Sequence, residues 1–275
     1  MTGNEAAPPP PGVSAAEPGG DARALNRELS NRHIQLIAIG GAIGTGLFMG
    51  SGKAISLAGP SLLLAYLIIG LMLFFVMRAM GEMLLHDLRY KSFQDFSRVM
   101  IGPWAGFFAG WTYWILWVVT AAAEMIAIIG YFDFWIGNLN ISMLCTAVLL
   151  LALLGSNLLT VKLFGELEFW FALIKIIAII ALILVGAWMV VTRFVSPDGT
   201  AASVTYLWSR GGVFPTGLSG FLAAFQLAVF SFIGTELIGT TAAETADPRT
   251  TLPKAIDAIP VRIIVFYVLA LAAIM

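Results

Sequence analysis

Residues 40–50 read GGAIGTGLFMG, placing Gly40, Gly41, Gly44 and Gly46 within seven residues of an otherwise apolar stretch. Each glycine costs a helix interior up to about 1 kcal/mol, so this cluster predicts a helix that unwinds. From position 34 to position 58 the only charged residue is Lys53. That length of apolar helix is enough to cross a hydrocarbon layer about 30 Å thick. Unwound backbone at that depth is tolerable only where it is buried in protein or lines a cavity. The competing explanation is close helix packing, since Gly40-x-x-x-Gly44 and Gly46-x-x-x-Gly50 both fit the small-xxx-small pattern.

The rest of the chain supports a membrane setting. Of 275 residues, 59% are apolar and 11% charged, whereas a soluble domain carries about a quarter charged residues. The reading is an all-α membrane protein, with spans near 34–58, 61–83, 104–135, 141–159, 165–191 and 217–243. A seventh begins near Val261 and reaches Met275. Counting from Arg262, that last segment is too short for an untilted crossing, so the chain is expected to stop inside a membrane helix as part of a longer protein. Residues 1–30, with a Pro8–Pro11 run and little to bury, read as a disordered cytoplasmic tail, and 31–275 as the transmembrane domain.

Lys and Arg give the orientation. Arg23, Arg27, Arg32, Arg78, Arg89, Lys91, Arg98, Lys162, Arg249, Lys254 and Arg262 fall on one side, and Lys53, Arg193 and Arg210 on the other. The positive-inside rule therefore places the N-terminus in the cytoplasm. A net charge of -1 offers no basic field for nucleic acid. The single cysteine, Cys145, and the distant histidines His33 and His86 offer no disulfide or metal set. No H-E-x-x-H, serine–histidine or strand-borne cofactor motif is present, so the chain is not read as an enzyme and no cofactor is expected.

A second break explains the first. Ile233-Gly234-Thr235-Glu236-Leu237 echoes Ile43-Gly44-Thr45-Gly46-Leu47 at an offset of 190 residues. Five helices separate the two, so they cross the bilayer in opposite directions. Paired interrupted helices at corresponding positions are the sequence mark of an inverted-repeat transporter site. N–H groups near Gly44, Thr45 and Gly46 would hold a carboxylate at a positive dipole end. Carbonyls near Phe230, Ser231 and Ile233 would hold an ammonium group. The ligand implied is a small zwitterionic amino acid.

Ionisable residues within spans are costly and default to a functional role. Lys175 lies deep in the fifth span, where a proton could be gained and lost, the alternative being a structural ion pair. Glu124 on the third span would carry a proton or face the substrate amine. Glu236 either binds substrate or caps its half-helix. Arg78, Glu82 and Glu244 read as orientation anchors rather than gates. Trp104, Trp111, Trp114 and Trp117 read as a packing and interfacial stripe, and Phe225 and Phe230 as possible caps on the cavity. Gly102, Gly106 and Gly110 read as helix-packing positions.

The segments NRHIQLIAIGGAIGTGLFMGSGKAISLAGPS (31–61), FFVMRAMGEM, GPWAGFFAGWTYW, FGELEFWFALIKIIAI and GTTAAETADPRTTLPKAI together resemble bacterial amino acid permeases of the amino acid–polyamine–organocation superfamily. The resemblance implies the five-plus-five inverted-repeat fold with helices 1 and 6 broken, about twelve spans in a whole member, and residence in the inner membrane. It implies proton-driven uptake of small neutral amino acids such as D-alanine, D-serine and glycine, with another neutral or aromatic amino acid as the alternative. It also implies that the fifth-span lysine, here Lys175, stands in for a sodium ion. A non-transporting sensor or an inactive copy would look the same in sequence, and net uptake separates them.

Overall fold

The computed structural model describes residues 43–87, 90, 92–158, 161–209, 211–237 and 248–275. The expected tail over 1–30, the glycines at 40 and 41, and Glu244 lie outside the described residues. Among the described residues, five helices are long and apolar enough to cross a membrane: Ser61–His86, Pro103–Ile136, Leu139–Asn157, Glu166–Val191 and Leu252–Ile274. The first and sixth spans appear as shorter pieces. Thr45–Phe48 (α1) and Gly50–Ala58 (α2) belong to the first, and Gly217–Phe230 (α3) to the sixth. Between described residues, strand pairing is limited to one bridge, Val195 with Ala201.

The first and sixth spans pack against each other in antiparallel fashion. Thr216 Oγ1 donates to the Leu57 carbonyl at 2.5 Å, near one end of the pair. Towards the other end, a Cβ placed on Gly46 would lie 2.6 Å from both Cα and Oγ of Ser231. The two chains can approach this closely only because position 46 has no side chain. Both interruptions therefore sit at one level of the bundle.

The last span differs from the sequence expectation. Leu252–Ile274 is 23 residues long, enough to cross, and it begins well before Val261. Pro253, Lys254, Asp257 and Pro260 read as a connection. Yet Leu252, Ile256 and Ile259 are all buried against the second span, where Gly81 leaves room for Ile256 and Gly70 for Ile263. Packing outweighs propensity here. Pro260, which lacks an N–H, is accommodated by a restart at Ile259–Arg262, and Ile263–Leu269 then winds as a π-helix. Arg262, counted above among loop cations, is consequently buried within a span.

Gly106 and Gly110 do serve close packing, but their partner is not another span. The short helix Phe93–Met100 (α4), closed by a Ser92–Asp95 capping box, rests on them through Arg98 and Gln94. Trp104, Trp111 and Trp114 on the same long helix are exposed, and Trp111 and Trp114 line a cavity together with Gln94 and Phe107.

Candidate functional site

The first break is described from Ile43 onward. Ile43 is irregular and Gly44 is a bend, after which α1 begins. The first N–H groups of a helix have no partner within it, which here are those of Thr45 and Gly46, while the Leu47 N–H closes on the Gly44 carbonyl at 3.2 Å. Lys175, partly buried on the fifth span, donates from Nζ to the Ile43 carbonyl at 3.1 Å. Glu124 of the third span stands on the other flank: a Cβ on Gly44 would lie 3.6 Å from its Oε1. Two residues far apart in sequence thus converge on one unwound turn.

The second break follows Phe230, and Ser231–Glu236 run as successive turns. Gly234 adopts φ 97°, a conformation that favours glycine. Glu236 accepts the Gly234 N–H at 2.9 Å through Oε2 and the Tyr113 hydroxyl at 3.4 Å through Oε1. Its carboxylate therefore closes the turn and ties it to the third span. Thr235 Oγ1 donates to the Phe232 carbonyl at 2.8 Å. Of the carbonyls singled out in sequence, Phe230 accepts the Ile233 N–H at 3.3 Å and Ser231 accepts the Tyr267 hydroxyl at 3.0 Å. A carbonyl has two lone pairs, so one such bond does not exhaust either oxygen.

The structure thus gathers Ile43, Gly44, Gly46, Glu124 and Lys175 around one break, and Ser231, Ile233 and Glu236 around its antiparallel neighbour. Thr45 opens α1. Phe225 stacks edge-on to Phe221 at 5.8 Å. Arg78 and Glu82 form an exposed pair one helical turn apart at 3.6 Å, a geometry worth a few tenths of a kcal/mol at most. Among the described residues, no group of three potential metal ligands occurs.

Sequence reasoning missed three tyrosines. Tyr66, Tyr113 and Tyr267 all place a hydroxyl on the second break or its capping carboxylate. A usable signal existed: a tyrosine in the middle of an apolar span needs a partner for its hydroxyl. Two cavities, of about 300 Å³ beside Trp111 and about 580 Å³ beside Phe194 and Tyr206, lie away from both breaks.

A bundle with five membrane-length helices among the described residues, in which the non-helical stretches at Ile43–Gly44 and Ser231–Glu236 lie near one another, defines a multi-pass helical membrane protein. The amino acid permease family model matches residues 33–275, and the chain belongs to that family. It is 63% identical to the D-serine/D-alanine/glycine transporter of Escherichia coli (strain K12) over 255 residues, which is 92% of this chain and 54% of that protein. It is 53% identical to the amino-acid permease AapA of Bacillus subtilis (strain 168) over 96% of this chain and 57% of the relative. To the aromatic amino acid transport protein AroP of Escherichia coli O6:H1 it is 45% identical, over 91% and 54%. The chain spans about half the length of these curated relatives. No solved structure gives a significant match.

Proposed function

We propose that the whole protein to which this chain belongs is a proton symporter that takes small neutral amino acids, in particular D-alanine, D-serine and glycine, into the cytoplasm. The observation that carries this reading is the Lys175 Nζ–Ile43 O bond beside the antiparallel contact of Gly46 with Ser231. In this reading the amides after Gly44 receive the substrate carboxylate. The carbonyls around Phe230, Ser231 and Ile233 receive its ammonium group. Lys175 holds the first break while protonated and releases it on losing its proton, and Glu124 supplies a second acid next to the same turn. The protein resides in a bacterial inner membrane with its N-terminus inside. The high identity to a D-serine/D-alanine/glycine transporter supports the substrate class.

The test is uptake of labelled glycine, D-alanine and D-serine by transporter-deficient cells producing the full-length protein, with and without a proton gradient. Gradient-dependent uptake that Lys175→Ala lowers by about ten- to a hundredfold, while the variant still reaches the membrane, is the expected result. Absence of uptake for all three substrates would overturn the substrate assignment. Uptake indifferent to the proton gradient would overturn the coupling.

A further inference from the structure

Ser231 marks the point where the sixth span stops being a helix, and two tyrosines from other spans converge on it. Tyr66 lies on the second span and its hydroxyl is 2.7 Å from Ser231 Oγ. Ser231 Oγ also lies 3.4 Å from the Leu227 carbonyl, to which it can donate, and either hydroxyl can donate the shorter bond. Tyr267 lies on the last span and donates to the Ser231 carbonyl at 3.0 Å. The rings enclose Phe232, with centroids 5.5 Å away for Tyr66 and 4.8 Å for Tyr267, and lie 5.4 Å from each other. Tyr66 is 1% exposed and Tyr267 2%, so neither is an interfacial anchor, which would keep its hydroxyl in water.

Two backbone features bring the pair together. Gly70, one turn along from Tyr66, lets Ile263 of the last span approach closely. The π-helical winding of Ile263–Leu269 then sets the direction in which Tyr267 points. Short π-helical stretches inside α-helices concentrate at functional sites. Ser231 in turn abuts Gly46, so whatever holds Ser231 also holds the spacing between the two breaks.

We infer that Tyr66 and Tyr267 are positioning residues: their hydroxyls clamp Ser231 from behind, fixing the second break and its distance from the first, and so set the affinity for the zwitterion. This rests on the transport reading for its effect on affinity, but not for the clamp itself.

The experiment compares Tyr66→Phe, Tyr267→Phe and the double variant of the full-length protein. Phenylalanine keeps the ring cluster and removes only the hydroxyls. Hydrogen–deuterium exchange on the purified protein reads the clamp directly. Amides of 231–237 should exchange about tenfold faster in the double variant, with those of 103–136 unchanged, since local opening is released without global unfolding. Unchanged exchange at 231–237 would overturn the clamp. Faster exchange throughout the protein would also overturn it, because the hydroxyls would then serve overall stability. Uptake is the second readout. Each single variant should raise KM for glycine about fivefold, the equivalent of one net hydrogen bond, with the maximal rate within about twofold. A fallen maximal rate at unchanged KM would overturn the affinity role. If the parent protein takes up none of the three substrates, the transport reading fails while the exchange data still decide the clamp.

Discussion

The two breaks meet the same backbone problem with different chemistry. Around the first, ionisable groups from neighbouring spans stand against bare backbone: Lys175 on the Ile43 carbonyl and Glu124 beside Gly44. Around the second, the segment's own Thr235 and Glu236 close its turns, and neutral hydroxyls of Tyr66 and Tyr267 hold Ser231. A contact made by a lysine ammonium group weakens when the group loses its proton, whereas one made by a tyrosine hydroxyl persists across ordinary pH. In the proton-coupled reading, the difference places movement at the first break and rigidity at the second.

That contrast can be broken at several points. The largest effect is expected at the contact between the breaks. A methyl group on Gly46 meets Ser231 backbone at 2.6 Å, and overpacking of this kind costs up to about 3 kcal/mol. Gly46→Ala should therefore reduce proton-driven glycine uptake, normalised to inserted protein, by up to about a hundredfold. Lys175→Ala comes next. It removes a charged donor from the Ile43 carbonyl, and hydrogen bonds of this type are worth about 1.5–3 kcal/mol, so uptake should fall by about ten- to a hundredfold. Exchange at 231–237 should stay as in the parent, because the second break does not depend on that lysine. Equal loosening of both breaks in this variant would remove the division of labour.

Glu236→Gln is the milder test. The amide keeps an oxygen for the Gly234 N–H but loses the charge that strengthens the bond, so a drop in uptake of about three- to fivefold is expected. A complete loss would mean that the carboxylate contacts substrate as well as closing the turn. Smallest is Gly44→Ala. Its added methyl would lie 3.6 Å from Glu124 Oε1, an ordinary contact, and uptake should stay within about twofold. Two glycines of one cluster, two residues apart, would then differ widely in tolerance.

Much of this site was legible because glycine density and an echoed pentapeptide speak about backbone, which sequence reports directly. The opposed direction of the breaks followed from counting the helices between them. Lys175 stood out because an ammonium group has few reasons to sit deep in a span. The tyrosines were hidden for the opposite reason: in an apolar span they pass for membrane-belt residues until burial is known. The last span was misread because Pro253, Lys254, Asp257 and Pro260 look like a connection, while the pockets at Gly70 and Gly81 that receive Ile263 and Ile256 belong to a distant part of the chain. Gly106 and Gly110 announced a close partner without saying which. The answer, α4, is an amphipathic helix adjacent in sequence.

The π-helical winding of Ile263–Leu269 makes that stretch a matter of residue count. Successive residues in an α-helix differ by about 100° in direction. A π-helical stretch is an α-helix that has taken in one extra residue, so relaxation to the tighter winding at the present length would turn Tyr267 away from Ser231, whereas losing one residue between Arg262 and Tyr267 would let the segment tighten with Tyr267 still facing it.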